Sequence, residues 1–119
     1  MVLNKGAADE QLILNSHGIQ IDVARLIDHV NANESQFKVC ECSTQRLMDI
    51  NRADGINPDV IASMDCNRVD EPILITSIDG YEWVIDGNHR LLKRHELQKE
   101  TSLYIPIGGS QLDPFVSPL

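Results

Sequence analysis

The chain is organised around the stretch Val84-Ile85-Asp86-Gly87-Asn88-His89-Arg90-Leu91-Leu92, in which polar residues separate two apolar runs. The residues Tyr81 to Ile85 predict a strand that leads into it. Gly87 allows a positive φ angle, and therefore a sharp reversal of the chain. Asn88 is a good helix N-cap, and His89 to Glu96 are typical of the helix that would follow. We therefore expect a strand, a tight turn and a helix in immediate succession.

This turn is a candidate anion site. Backbone N–H groups and the positive end of a helix dipole would meet just ahead of the helix, a position that suits a phosphate. Gly87, Asn88, His89 and Arg90 are therefore candidate ligands of a phosphate or nucleotide. Asp86 and His89 are the candidate catalytic residues, because a carboxylate on the turn could bind Mg²⁺ and a histidine could donate to a developing phosphate charge. Asp-Gly-Asn is also an ordinary turn sequence, so a purely structural role stays open.

Size and charge limit the classes of partner. At 119 residues the chain is long enough for one domain with a modest core. The net charge of −8 argues against binding to plain duplex DNA, which depends on many Lys and Arg contacts with phosphates. The positive charges that are present gather in or near the predicted helix, at Arg90, Lys93, Arg94 and Lys99. This cluster favours a small anionic ligand, although a solvated helix face would have the same pattern.

The apolar and cysteine patterns predict a cytoplasmic protein. We expect no membrane span, because no apolar run is long enough, and we see no signal-peptide pattern. The three cysteines, Cys40, Cys42 and Cys66, form no C-x-x-C pair and are expected to be reduced and structural. His89 and His95 do not have zinc-ligand spacing, so we expect no metal site built by the protein alone.

The N-terminal third predicts a small unit of its own. Two short apolar runs, Leu12 to Leu14 and Ile19 to Ile21, flank Ser16-His17-Gly18 and favour a small hairpin. Asp22 can cap a helix over about residues 22–30, where apolar residues recur with a helical period. We interpret residues 1–36 as an extension that packs on the main domain of residues 37–119.

The main domain alternates short strands and helices. Phe37 to Cys42 predicts a strand, and Ser43 or Thr44 can begin a short helix after it. Asn57-Pro58 predicts the start of a helix that continues to Cys66 or Asn67.

The second half of that domain carries the clearest strand signals. Pro72 to Thr76 and Tyr81 to Ile85 flank Asp79-Gly80, a strong signal for an antiparallel hairpin. Ser102 to Ile107 predicts a further strand, and the tail beyond it is expected to be irregular. The fold class that follows is α+β, with a small mixed or antiparallel sheet and packed helices.

The order of these elements resembles the ParB/sulfiredoxin superfamily over about residues 37–107. The resemblance depends on Asn57-Pro58 at a helix start, Glu71-Pro72-Ile73-Leu74-Ile75 as a strand, Ile85-Asp86-Gly87-Asn88-His89-Arg90 after a hairpin, and Leu97-Gln98-Lys99-Glu100-Thr101 before the last strand. It implies a ParB/sulfiredoxin-like domain that binds nucleotide phosphates, with Gly87, His89 and Arg90 at phosphate-binding positions. It also implies that Ser63 contacts phosphate from a neighbouring helix.

Several positions depart from the family pattern. Asn88 stands where sulfiredoxins have their reactive cysteine, so repair of sulfinic acids is not expected. Val60 stands where sulfiredoxins have a phosphate-contacting lysine, which weakens the case for ATP. The second ParB motif and the helix-turn-helix domain are absent from the sequence, which argues against a DNA-sliding clamp.

Two classes of function follow. One is a small nucleotide-dependent phosphotransferase or hydrolase that uses Mg²⁺ with its nucleotide. The other is a non-catalytic module for protein interaction or ligand sensing, such as an accessory protein of a phage or mobile element. The partners expected are thus a phosphate-bearing small molecule and, in the second case, a protein partner or a second copy of the chain.

Overall fold

A computed structural model describes Leu3 and residues 11–51, 58–64 and 66–119, apart from the side chains of Cys66 and Asn67. Within this part of the chain the strands are β1 (Gln11–Leu14), β2 (Ile19–Asp22), β3 (Cys40–Ser43), β4 (Ile73–Ile78), β5 (Tyr81–Asp86), β6 (Thr101–Ile107) and β7 (Val116–Pro118). The helices are α1 (Val23–Ala32), α2 (Thr44–Ile50), α3 (Pro58–Ala62), α4 (Cys66–Val69), α5 (Asn88–Glu96) and α6 (Gly109–Leu112). The α+β class is thus confirmed.

The strands form two sheets. A three-stranded antiparallel sheet has the order β1-β2-β7, and a four-stranded mixed sheet has the order β3-β6-β4-β5. In the mixed sheet β4 and β6 are parallel, whereas β3 pairs with β6 and β5 pairs with β4 in the antiparallel sense. β5 runs antiparallel to β4 and ends near the start of β4. α5 then connects β5 to β6, which begins at that same end of the sheet and therefore runs parallel to β4.

The hairpin of β4 and β5 has the predicted pairing. Its turn residues Asp79 and Gly80 have φ angles of 52° and 83°, the pair of positive values that a type I′ turn requires. Ile78 lies opposite Tyr81, and the register shifts once, between Leu74 and Ile75. The Asp-Gly signal therefore predicted both the turn and the antiparallel pairing correctly.

The mixed sheet is covered on both faces, which explains the continuous apolar run in β4. One face contributes Leu74, Ile85, Ile105 and Ile107 to the larger apolar cluster. That cluster also includes residues of the N-terminal third and of the tail, among them Ile21, Leu26, Ile27, Leu112 and Phe115.

The opposite face forms a second, smaller cluster. Here Ile73, Ile75 and Val84 of the sheet pack with Leu47 of α2 and Leu91 of α5. Because side chains alternate between the faces of a strand, neighbouring residues of β4 serve different clusters. The smaller cluster holds α5 against the end of β5, where the candidate turn lies.

The N-terminal third has the predicted elements. β1 and β2 form the hairpin, with Gly18 in the left-handed conformation at φ 65°. Asp22 caps α1, since its Oδ1 accepts a hydrogen bond of 3.1 Å from the N–H of Arg25. The apolar face of α1 lies in the larger cluster, so this third shares a core with the mixed sheet. A domain boundary at residue 36 remains a prediction.

Two element boundaries differ by several residues from those expected. β3 begins at Cys40 rather than Phe37, because the N–H of Phe37 closes a 3₁₀ turn by donating to the carbonyl of Glu34. The helix that begins at Pro58 ends at Ala62, and α4 is a separate helix. Ser63 contributes to this end, because its hydroxyl and its N–H both bond to the carbonyl of Asp59. The expected N-cap Asn57 lies outside the described residues.

The tail is ordered, so the expectation of an irregular C-terminus was wrong. Gly108 starts α6, and its N–H donates to Gln111 Oε1 over 2.9 Å. Leu112 and Phe115 are buried and anchor the chain beyond α6. β7 then pairs with β2, which makes the C-terminus part of the N-terminal sheet. Pro114 and Pro118 favoured an irregular tail, but the burial of Leu112 and Phe115 outweighs this preference.

Candidate functional site

The candidate turn is a strand, a single reversing residue and a helix. β5 ends at Asp86, Gly87 has φ 99° and ψ 18°, and α5 begins at Asn88. The helix therefore begins one residue earlier than predicted, and Gly87 rather than Asn88 is its N-cap. The left-handed conformation explains this difference, because glycine adopts it without steric cost.

Gly87 is also required by the packing around it. A Cβ atom at this position would lie 2.8 Å from Ile73 Cδ1 and 2.9 Å from Arg90 Nη2. Both distances are shorter than the nonbonded contacts of a carbon atom. The side chains of Ile73 and Arg90 therefore occupy the space that a Cβ atom would need. The turn is therefore tightly fitted as well as conformationally demanding.

Arg90 is buried, with only 2% of its surface exposed. Its Nη2 donates to the carbonyl of Pro72 over 2.9 Å and to Asp86 Oδ2 over 3.2 Å. Its Nη1 lies 3.8 Å from Glu71 Oε2. Arg90 thus ties the start of α5 to the end of β5 and to the residues just before β4. The sequence predicted Arg90 as a phosphate ligand; its buried guanidinium group is engaged within the fold, and a contact with a ligand remains a prediction.

Asp86 is the buried partner of Arg90, with 7% of its surface exposed. The two residues are four apart, so the carboxylate at the end of the strand faces the guanidinium group in the first turn of the helix. A buried carboxylate needs such a cation, because desolvation of an unpaired charge is costly. Its carboxylate is therefore engaged inside the fold, and any role for Asp86 in catalysis or Mg²⁺ binding remains a prediction.

Asn88 and His89 form the accessible part of the turn. Both are half-buried in the first turn of α5, where backbone N–H groups have no acceptor within the helix itself. Asn88 Oδ1 is buried and has no hydrogen-bond partner in the described structure. Of the predicted ligands, these two and Gly87 are half-buried at the helix start, and their contact with an anion remains a prediction.

Ser63 lies on a different element, just after the end of α3. It is exposed, and its hydroxyl donates to the carbonyl of Asp59 over 2.7 Å. α3 packs against α5, which places the two elements side by side. A contact between Ser63 and a ligand at the turn remains a prediction. Val60, on the same helix, is 39% exposed.

The four cations that were predicted to form a basic face on or near α5 lie in different environments. Arg94, like Arg90, turns toward the protein: its Nε donates to Ser102 Oγ over 2.8 Å, and its Nη1 donates to Asp70 Oδ1 over 2.7 Å. It also donates to the carbonyls of Val69 and Thr101. Lys93 is half-buried and Lys99 is exposed. Two of the four cations therefore hold the fold together, a role that charge counting missed.

One signal in the sequence could have predicted the buried pair. Asp86 and Arg90 are spaced like an i,i+4 ion pair, with the acid on the N-terminal side. The segment that contains both residues also lies between Ile85 and Leu91, which pack in the two apolar clusters. The role of Glu71 and of the Pro72 carbonyl has no such local signal, because these groups are distant from Arg90 in sequence.

The two described thiols share one face of β3, as expected from their spacing. Cys40 and Cys42 are free and half-buried, and Cys42 packs against the smaller cluster. Arg46 of α2 lies over the ring of Tyr104 at 5.4 Å and donates to Glu82 Oε2 over 3.0 Å. Burial lowers the pKa of Arg46, but its hydrogen bond to Cys42 Sγ and the charge of Glu82 outweigh that effect and leave the pKa raised. The Cys66 side chain lies outside the described structure.

Comparisons with known proteins assign no family. The chain matches no protein-family model, and no curated protein shows significant similarity to it. The resemblance to the ParB/sulfiredoxin superfamily therefore remains a prediction from the quoted residues.

The described residues show neither a metal-binding cluster nor a membrane-spanning helix. They contain no group of three or more His, Cys, Asp or Glu side chains that could hold a metal ion. None of their helices has both the length and the apolar character needed to cross a bilayer.

Proposed function

We propose that the protein binds a phosphate group, carried by a nucleotide or a similar small molecule, at the turn formed by Asp86 to Arg90. The observation that carries this proposal is Gly87, which starts α5 in the left-handed conformation and has no side chain to cap the helix. The N–H groups of the first helical turn have no acceptor inside the helix and no side-chain cap from Gly87, and the helix dipole favours a negative ligand there. Binding of anions at such helix starts is a general property of protein structures.

The roles of the individual residues follow from their burial. Backbone N–H groups from Asn88 onward and the ring of His89 would contact the ligand, since both residues are only half-buried. Arg90 lies on the buried side of the turn, where it would hold Gly87, Asp86 and the Pro72 carbonyl in place. Its charge is offset by Asp86 and Glu71, so the attraction for an anion would come mainly from the helix start itself.

The same geometry favours binding over catalysis. The Asp86 carboxylate pairs with Arg90, and phosphoryl transfer that used it would first have to break this buried pair. Mg²⁺, if it takes part, would arrive with a nucleotide and be held largely by the phosphate oxygens. A cytoplasmic location, expected from the cysteine pattern, fits a nucleotide ligand and belongs to the same proposal.

Calorimetric titration with ATP, CTP and inorganic phosphate, each with and without Mg²⁺, tests the proposal. The matched variants are His89→Ala and His95→Ala, because both histidines lie on α5 but His95 is exposed in its last turn. Loss of a hydrogen bond to a charged ligand, about 1.5–3 kcal/mol, should weaken binding roughly tenfold or more in the first variant. The second variant should bind as the wild type does, and added salt should weaken binding in all of them.

Two outcomes would reject the proposal. One is a wild-type protein that binds none of the three probes. The other is equal binding by both histidine variants, which would place the ligand elsewhere. In either case the non-catalytic interaction module becomes the better hypothesis. The next measurement would then be of binding to a protein partner or of self-association.

A further inference from the structure

A cavity of about 170 Å³ lies between the end of α1, the chain around Phe37 and the strand β6. Its lining residues come from separate parts of the sequence: Leu3, Val30, Asn31, Glu34, Phe37, Val39 and Ile105. The inner walls are well packed, since Val30, Phe37 and Ile105 are all at least nine-tenths buried. The inner walls of this half-open cavity therefore belong to the larger apolar cluster, whereas the exposed residues Glu34 and Val39 border its opening.

The polar groups around this cavity explain which ligands it would accept. The side-chain amide of Asn31 is already used, because its Oδ1 accepts from the N–H of Leu3 over 2.7 Å and its Nδ2 donates to the carbonyl of Leu3 over 2.9 Å. Glu34 is exposed, near the mouth. A buried water needs about two to four polar partners, and the described inner walls are mainly apolar. The described inner walls thus offer few hydrogen-bonding partners to a polar or charged ligand.

We propose that this cavity binds a small neutral apolar molecule, of the size of a single aromatic ring. A buried engineered cavity of about 150 Å³ lined by Leu, Ile and Phe binds benzene, and the half-open cavity here has a similar volume, which sets the size of the ligand. The ring of Phe37 and the branched side chains of Val30 and Ile105 offer the same kind of lining. This site is independent of the phosphate proposal, because it uses neither α5 nor the turn before it.

Val39 gives a way to block the cavity without changing its inner walls. It lines the cavity and is 38% exposed, so a larger side chain at this position can extend over the mouth. Val60 on α3 is 39% exposed and does not line the cavity. The substitutions Val39→Trp and Val60→Trp therefore make the same chemical change at equal exposure, and only the first covers the site.

Titration of the ¹⁵N-labelled full-length chain with benzene, followed by NMR, tests the proposal. We expect saturable shifts at the amides of Val30, Phe37 and Ile105, unchanged affinity in Val60→Trp, and affinity at least tenfold weaker in Val39→Trp. The proposal is overturned if the wild type shows no saturable shifts at these residues. It is also overturned if the two tryptophan variants bind benzene equally well, with unperturbed spectra confirming that both are folded.

Discussion

A Cβ atom on Gly87 would lie 2.9 Å from Arg90 Nη2, so the guanidinium group of Arg90 occupies the space that a side chain at position 87 would need. The same Nη2 donates to Asp86 Oδ2 and to the carbonyl of Pro72. The left-handed turn and the buried ion pair therefore form one unit. A change in either should be measurable as a loss of stability, independently of any ligand.

Gly87→Ala should destabilise the protein for two separate reasons. The φ angle of 99° is strained for alanine, at about 1–3 kcal/mol, and the new methyl group would also crowd Ile73 and Arg90. Gly80→Ala is the matched control, because Gly80 has φ 83° but nothing within 4 Å of its Cβ position. Urea denaturation should therefore show a larger loss for Gly87→Ala. Equal losses would mean that the contact with Arg90 is not maintained in solution.

Arg90→Met should also lower stability strongly, in contrast to the small effect expected of a surface residue. The substitution keeps much of the side-chain length but removes the cation that faces the buried carboxylate of Asp86, and breaking such a pair costs about 3–5 kcal/mol. Arg46→Met is the control, since Arg46 and Glu82 form an exposed pair worth about 0–1 kcal/mol. Urea denaturation gives the free energy of unfolding of each variant. An equal loss of this free energy in Arg90→Met and Arg46→Met would contradict the buried ion pair.

The caps of the first two helices should each contribute to stability. Asp22 accepts from the N–H of Arg25 at the start of α1, and Ser43 accepts from the N–H of Arg46 at the start of α2. Replacement of either by alanine should cost about 0.5–2 kcal/mol in thermal or urea unfolding. Asp22→Asn and Ser43→Thr retain an acceptor oxygen and should recover most of the loss. Failure of these conservative variants to recover stability would point to packing rather than capping.

Deletion of residues 116–119 should loosen the N-terminal sheet. β7 pairs with β2, so its removal turns β2 into an exposed edge and uncovers part of the larger cluster. Hydrogen exchange should become faster at Ile19 to Ile21, while the amides of β4, in the centre of the other sheet, provide the internal control. Unchanged exchange in β2 would show that the tail does not stabilise this sheet.

Local signals in the sequence predicted much of the fold. Asp79-Gly80 specified its own turn and the pairing of the strands on either side, because both residues accept positive φ angles. Asp22 and Ser43 acted as caps where they were expected, since a cap needs only the next few residues of chain. The reversal at Gly87 belongs to the same class, and it too was predicted from the residue alone.

The candidate site was predicted only in part, because its electrostatics depend on burial. Arg90 and Arg94 had the appearance of a solvated basic face, yet each bonds to carbonyl groups and carboxylates from other elements. The side of α5 that packs on the sheet includes Arg90 and Leu91, whereas His95 in its last turn is exposed. Helical periodicity alone could not distinguish a buried arginine from a surface one.

By itself the sequence determined the α+β class, the hairpins and the strand–turn–helix around Gly87, because turn and cap preferences act over a few neighbouring residues. Tertiary structure alone decided that the tail returns to pair with β2 and that the strands of the described residues form two sheets rather than one. It also decided that the positive charge of Arg90 faces inward. These outcomes depend on which surfaces are buried together and on which distant carbonyl and carboxylate groups meet a buried charge, and neither is encoded within one short stretch.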